Sequence, residues 1–274
     1  MSALAIWPQP MDESDAKIFY MRRSGVRVAA IIMSSLCFVL HVTASTVLVF
    51  VSPQEAVIAA DSLANRFEGG QHSVCKIVQV SDHMLFVATG TGTVEPPLHF
   101  NPYELARISS INSHSPHEAA LKYARAALEP LQQIWRVNHA RYFEIGEGNG
   151  QKPKGPQAFT FIGLDQDGNI SAAGSYFVED TATPPNLRMN ELQEFAGKNA
   201  DDIFFYPMGV FASVPSPGVI NAWIYAEKIG APDALKRAIE AQIKATPRLV
   251  GPPISIVRLS RNGSIQWVCR GVCK

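Results

Sequence analysis

Apolar positions come in short continuous runs broken by polar turns, and twice the spacing changes to a helical one. Thr46-Val47-Leu48-Val49-Phe50-Val51 and Ala56-Val57-Ile58-Ala59-Ala60 flank the turn Pro53-Gln54-Glu55. Runs this short and this uniformly apolar read as strands buried on both faces. Lys76-Ile77-Val78-Gln79-Val80 and Met84-Leu85-Phe86-Val87-Ala88 form a second pair, with His83 in the turn between them, and Thr89-Gly90-Thr91-Gly92 follows. A short helix is expected over Pro102 to Ile111 and a longer one from Ser115 to about Asn138. Ser115 caps the longer helix, Pro116 suits its first turn and Glu118 completes a capping box. Leu121, Ala124, Leu128, Leu131 and Trp135 make its buried face, and Pro130 is expected to kink it.

Phe159 to Leu164 and Ile170 to Val178 read as a hairpin around Asp165-Gln166-Asp167-Gly168-Asn169. Asn190 to Ala196 reads as a short helix and Ile203 to Val214 as an apolar stretch. Val219 to Ile229 and Ala234 to Ala245 read as helices. Ile254 to Leu259 and Ser264 to Val268 make a last hairpin around Asn262-Gly263. Strands and helices therefore come in groups, without βαβ alternation. That predicts an α+β chain of antiparallel sheets covered by helices rather than a doubly wound parallel sheet.

Before Ser45 the pattern differs. Met21-Arg22-Arg23-Ser24-Gly25-Val26-Arg27 is basic, Val28 to Val42 is largely apolar, and Val42-Thr43-Ala44 ends small. A basic flank, an apolar run too short for a membrane span and small closing residues describe a secretory signal peptide. Residues 1–44 are thus expected to be an N-terminal extension with a signal, and 45–274 a single domain, secreted or periplasmic. An uncleaved anchor is the alternative, and would be the chain's one membrane contact. Asp12, Glu13 and Asp15 fit a signal poorly, which suggests a start at Met21; Arg22-Arg23 hints at twin-arginine export without the rest of that motif.

Composition narrows the function. Lys+Arg and Asp+Glu are both 24, for a formal net charge of zero, so nothing favours nucleic acid. Four cysteines in 274 residues are too few for a disulfide scaffold. Cys269 and Cys273 either close a small loop in an oxidising compartment or stay free; Cys75 reads as an inert thiol on a buried strand. No metal site is expected at Cys269 and Cys273, and His114 and His117, beside a helix start, read as exposed polar residues. The glycine-rich stretch from Gly146 lacks the Gly-Lys-Ser/Thr of a phosphate loop, and the Asp165 turn lacks the closing glutamate of a calcium loop.

The candidate chemistry lies at the leader boundary. Cleavage after Ala44 makes Ser45 the first residue. A terminal amine, with an ordinary pKa of about 7.7–8.0, takes the proton from its own hydroxyl, which then attacks a carbonyl carbon. Such a site needs a cation to tune the amine and backbone N–H groups for the oxyanion.

Ser45 to Phe50, then Ala56 to Asp61-Ser62, then Val74-Cys75-Lys76-Ile77, then Ala88-Thr89-Gly90 resemble the start of a proteasome β-type subunit, an N-terminal nucleophile (Ntn) hydrolase. Ser45 stands sixteen residues before Asp61, the family's spacing. Lys76 and Gly90 each fall one residue early, so a single deletion after Asp61 accounts for both. Ala234 to Ile239, Gly251, Ile254 to Val257 and Asn262-Gly263 are similar to the family's last helix and hairpin. The resemblance implies a four-layer αββα sandwich and a peptidase or amidase without metal or organic cofactor, acting on a peptide or small amide. It implies Ser45 as nucleophile and base, Asp61 orienting Lys76, Lys76 tuning the nucleophile, and the Gly90 N–H serving the oxyanion. The family forms rings, which leaves a homo-oligomer open.

Several positions depart from that pattern. Serine replaces threonine at the nucleophile. Where the family places an aspartate and a serine that support the amine, the nearest residues are Pro247 and Val250; Ser213 is the nearest match to a third supporting serine. Ala44 replaces the glycine of self-processing subunits, though Val42 and Ala44 suit signal peptidase. Thr46 is the alternative nucleophile, but freeing it shortens the spacing to Asp61 and turns the side chain to the other strand face. A catalytically inactive member of the fold, acting as a binding or assembly unit, is the rival reading.

Overall fold

The computed structural model describes residues 40–43, 45–66, 71–96, 98–147, 155–199, 202–209 and 213–273. The chain divides into two units, Met1–Cys37 and Phe38–Lys274, and everything below lies in the second. The basic segment and apolar run expected as a signal fall outside the described residues, apart from Leu40–Thr43.

The continuous apolar run after Ser45 is a strand, β2 (Thr46–Val51), that separates two cores. Val47, Val49 and Val51 pack into one core with Leu85, Val87 and Ile162. Leu48 and Phe50 pack into another with Leu235, Ala238 and Ile239. Side chains of a strand alternate between faces, so a strand apolar at every position is one covered on both sides. β3 (Glu55–Ala60) pairs antiparallel with β2 and follows the same rule. Truncating a core side chain such as Phe50 to alanine costs about 3–5 kcal/mol.

β2 and β3 lie within a five-stranded antiparallel sheet in the order β12-β2-β3-β13-β14. Its other members are β12 (Phe204–Gly209), β13 (Ser255–Ser260) and β14 (Ile265–Cys269). The second sheet has nine strands. They are β1 (Leu40–Thr43), β4 (Leu63–Arg66), β5 (Gln71–Ser73), β6 (Ile77–Ser81), β7 (Met84–Val94), β8 (Gln157–Leu164), β9 (Ile170–Glu179), β10 (Leu187–Met189) and β11 (Gln193–Ala196). Its main path runs β10-β9-β8-β7-β1-β4-β5, with β6 on β7 and β11 on β9. Every pairing is antiparallel.

Helices α1 (Pro102–Ser110) and α2 (Pro116–Glu147) cover the outer face of the nine-stranded sheet. Tyr123, Ala127, Leu131, Ile134 and Trp135 of α2 pack on Phe86, Phe159 and Phe161. The expected Ser115 cap forms, its Oγ accepting from the Glu118 N–H at 3.2 Å, while the Glu118 carboxylate reaches one residue past the cap and accepts from the His114 N–H at 3.0 Å. Helix α4 (Ala231–Ala245) covers the five-stranded sheet. Helix, sheet, sheet, helix is the four-layer αββα sandwich anticipated from the sequence.

The Asp165 turn is a plain turn. Its carboxylate is taken up by the N–H groups of Asp167 and Asn169, at 2.9 and 2.8 Å. Three expectations need correction. Gln193–Ala196 is a strand paired with β9 between Ser171 and Gly174, not the helix expected over Asn190 to Ala196. Val219 to Ile229 is not one helix. Pro217–Asn221 (α3) passes into a π-helical turn over Ala222–Ala226.

The third concerns the cysteines. Cys273 bonds to Cys75, 198 residues away, and Cys269 is an exposed free thiol. Cys269 stands opposite Ile256, a residue of the core under α4. Cys273 lies past a turn in which Gly271 takes φ +55°, and it is buried. A bridge demands closely apposed Cβ atoms, and the tail brings Cys273 to Cys75 rather than to Cys269.

Candidate active site

Asp61 organises the site. It follows the last residue of β3, and its carboxylate is fully enclosed. All four of its acceptor positions are filled. Oδ1 accepts from the Thr46 N–H at 2.8 Å and from Lys76 Nζ at 2.7 Å. Oδ2 accepts from the Leu63 N–H at 3.0 Å and the Gly251 N–H at 3.1 Å. The carboxylate thus ties together the first strand of one sheet, the start of β4, the segment before β13 and the lysine before β6. The main chain reinforces it: the Asp61 N–H donates to Thr46 O and the Ser62 N–H to Gly251 O, both at 3.1 Å.

Lys76 is 1% exposed. Its ammonium donates to Asp61 Oδ1 and, at 2.7 Å, to Leu63 O. Burial pulls its pKa below the ordinary lysine value, and the charge of Asp61 opposes that shift. Two of its three donors are therefore used, and no acceptor among the described residues takes the third.

Ser45 immediately precedes Thr46, whose N–H shares Asp61 Oδ1 with the lysine. It is 1% exposed, and its Oγ is buried with no hydrogen-bond partner among the described residues. A buried, unsatisfied hydroxyl calls for an explanation, and catalytic use is one of the few available. Gly209 packs on the Ser45 carbonyl so closely that a Cβ there would sit 1.8 Å from its oxygen.

The strand faces separate the two candidate hydroxyls. Val47, in the core between the sheets, has Ser45 on its own side by strand alternation; Leu48, facing α4, has Thr46 on its side. Thr46 contributes its N–H to Asp61, and its residue is entirely buried.

Gly90 lies in β7, opposite Thr43 of β1 on one side and Gln157 of β8 on the other. It adopts φ +95°, and a Cβ would fall 2.2 Å from Pro156 O. Only glycine suits both conditions.

The segment before Ser45 is part of this geometry. β1 lies between β4 and β7, with Val42 opposite both Asn65 and Thr91. β1 is thus a strand seated in the nine-stranded sheet that ends at Thr43, two residues before Ser45.

Lys76 therefore meets the Asp61 carboxylate directly, Ser45 stands one residue before the Thr46 N–H on the same carboxylate, and Gly90 pairs with Thr43, two residues before Ser45. The supporting side chains do not assemble. Pro247 and Ser213 are exposed, and Val250 is a fully buried apolar residue. The Ser213 N–H donates to Gln242 Oε1. Sequence reading missed the backbone members, Leu63 and the N–H groups of Thr46 and Gly251, because main-chain groups leave no residue-type signature. Gly251 was visible as part of the tail pattern, but not as a donor to Asp61.

No family model and no curated protein sequence matches the chain. Solved structures do. Anbu (ancestral β-subunit) from Yersinia bercovieri superposes with a TM-score of 0.51 at 12% identity, over 81% of this chain and 86% of that one. A Gly-1 mutant of Anbu from Hyphomicrobium sp. strain MC1 gives 0.45 at 12% identity, over 81% and 84%. The first of these supports a proteasome-like fold for this chain.

Proposed function

We propose that this proteasome-fold protein is an exported N-terminal nucleophile amide hydrolase, with Ser45 as the residue exposed when the leader is cut. The observation that carries the reading is the enclosed Asp61 carboxylate, which holds Lys76 Nζ and the N–H next to Ser45 on a single oxygen. Cleavage of the Ala44–Ser45 bond gives Ser45 a free amine. That amine accepts the hydroxyl proton as Oγ attacks the substrate carbonyl carbon, then passes it to the substrate nitrogen as the C–N bond breaks, leaving an acyl-enzyme and a released amine. Lys76, with a lowered pKa and a spare donor, tunes the hydroxyl and the amine electrostatically. The N–H of Gly90 serves the oxyanion. Water then releases the acyl group, with the amine again as base.

The slot of β1 supports a reading in which substrate is held as an extended chain. Once the leader leaves, the edges of β4 and β7 face a gap that accepts one extended chain through main-chain hydrogen bonds. That favours a peptide over a small amide. Strand alternation favours Ser45 over Thr46 as nucleophile. Export is supported by the Cys75–Cys273 disulfide, a bond that persists in oxidising compartments.

N-terminal sequencing of the purified protein, with labelling by a β-lactone probe, tests the reading. The expected result is Ser45 as first residue and a probe adduct that Ser45→Ala abolishes while folding is retained. A leader still attached refutes it.

One observation favours the second reading, a non-catalytic binding or assembly unit. Pro247 and Val250 carry no polar group for the new amine, and Ser213 is exposed where Ser45 is buried. A folded, correctly trimmed protein that takes no probe establishes that reading instead.

A further inference from the structure

We infer that the Cys75–Cys273 disulfide is a positioning element of the site, a covalent brace that keeps Lys76 on Asp61 and ties the site's competence to the oxidised bridge. The inference rests on the proposed hydrolase reading only for its catalytic consequence; the placement of Lys76 stands apart from it.

Lys76 does not sit in a strand. Val74, Cys75 and Lys76 form an irregular link between β5 and β6, and the sheet ladder resumes at Ile77 opposite Val87. Before Lys76, the link's main-chain anchor is the Val74 N–H on Ser62 O, at 2.8 Å. Burying an ammonium is unfavourable unless its partners are held in place. Here the link that carries the ammonium is fastened by the residue next to it, Cys75.

The other end of the brace is equally specific. After β14 the chain turns back, with the Cys273 N–H on Arg270 O at 2.7 Å and Ser255 Oγ on the same carbonyl at 2.9 Å. Gly271 makes that turn at φ +55°, and a Cβ there would lie 2.5 Å from Ser255 Oγ. Ser255 opens β13, four residues after Gly251, whose N–H holds Asp61 Oδ2. The path from Asp61 through Gly251, β13, β14 and Cys273 returns across the disulfide to Cys75 and Lys76. The ion pair is therefore one link of a closed circuit, and the disulfide is that circuit's one covalent cross-link among the described residues.

Opening the bridge is a two-electron step. A dithiol reductant attacks one sulfur, forms a mixed disulfide, and closes on itself. It leaves as a cyclic disulfide, with thiols on Cys75 and Cys273. The circuit then lacks its closure next to the lysine, while the ladders of both sheets are untouched. A displacement of about 1 Å at such a site lowers reactivity on the order of a hundredfold.

The test uses the full chain, reduced after folding by a dithiol and checked by intact mass, beside Cys75→Ser and Cys273→Ser, with Cys269→Ser as control. Hydrogen exchange is followed at the Thr46, Leu63 and Gly251 amides, the three that Asp61 accepts, together with the pH profile of β-lactone labelling. The expected result is that opening the bridge lowers protection of those three amides by about tenfold or more while the α2 and β8 amides keep theirs. Labelling should fall by a similar factor with its pH midpoint moved, and Cys269→Ser should change nothing. Unchanged protection at the three amides overturns the inference. So does global loss of protection, which makes the bridge a staple of the whole fold. If no form takes the probe while the three amides respond, the hydrolase reading fails and the brace stands.

Discussion

Replacing Asp61 by alanine separates a shared network from a collection of independent contacts. The substitution strips Lys76 of its counter-charge and leaves the N–H groups of Thr46, Leu63 and Gly251 without their acceptor. Breaking a buried pair from one side costs about 3–5 kcal/mol. Lysine has an escape: it sheds its proton. From an ordinary pKa of about 10.4, doing so at pH 7 costs about 4.6 kcal/mol. That figure caps the charge penalty, and it lies inside the range for a broken pair. Set against a total stability of about 5–15 kcal/mol, that penalty removes about a third of it or more at pH 7.

The sign of the pH effect follows. In the variant the folded lysine is neutral and the unfolded lysine is protonated, so the unfolded state binds the extra proton and stability rises with pH. Each pH unit returns about 1.4 kcal/mol, so the penalty at pH 9 falls to about 2 kcal/mol plus the cost of the orphaned amides. Adding Lys76→Met removes the stranded charge, so the double variant should be more stable at pH 7 than Asp61→Ala alone, by about 3 kcal/mol. Urea unfolding of the four proteins at pH 7 and pH 9 measures both effects. Additive losses, or an Asp61→Ala penalty that ignores pH, refute the shared network.

Gly90→Ala should destabilise by about 3 kcal/mol, since it places a Cβ against the Pro156 carbonyl at a positive φ; thermal denaturation reads it. In wild-type protein the folded pKa of Lys76 is depressed, so its contribution is complete above the ordinary lysine pKa and is lost as pH falls through the lowered value; Lys76→Met should flatten the alkaline rise in urea midpoint. A non-reducing peptide map should recover Cys75 joined to Cys273 and Cys269 as a thiol.

The strands legible in the sequence are those whose own residues demand burial. Thr46–Val51, Glu55–Ala60 and the hairpin of β13 and β14 announce themselves by apolar runs or a turn. Gln71–Ser73 and Gln193–Ala196 do not, because polar residues form those strands through pairing with neighbours rather than through propensity. That is why Gln193–Ala196 reads as helix and folds as strand. The spacing of Ser45, Asp61 and Lys76 was legible because side chains carry it. The carbonyl of Leu63 and the amides of Thr46 and Gly251 were not. Neither was the partner of Cys273, since no local pattern links residues 198 apart.

Nine strands is the count of the larger sheet only while β1 is docked. Take that strand away and β4–β5 part company with β7–β8–β9, two fragments facing across a gap one chain wide. Whatever enters next is then a missing piece of architecture as much as a guest. A trimmed protein should melt at a higher temperature with an extended peptide in place than empty, by an amount that grows with the peptide's concentration. In such a molecule, binding and completing the fold are the same event.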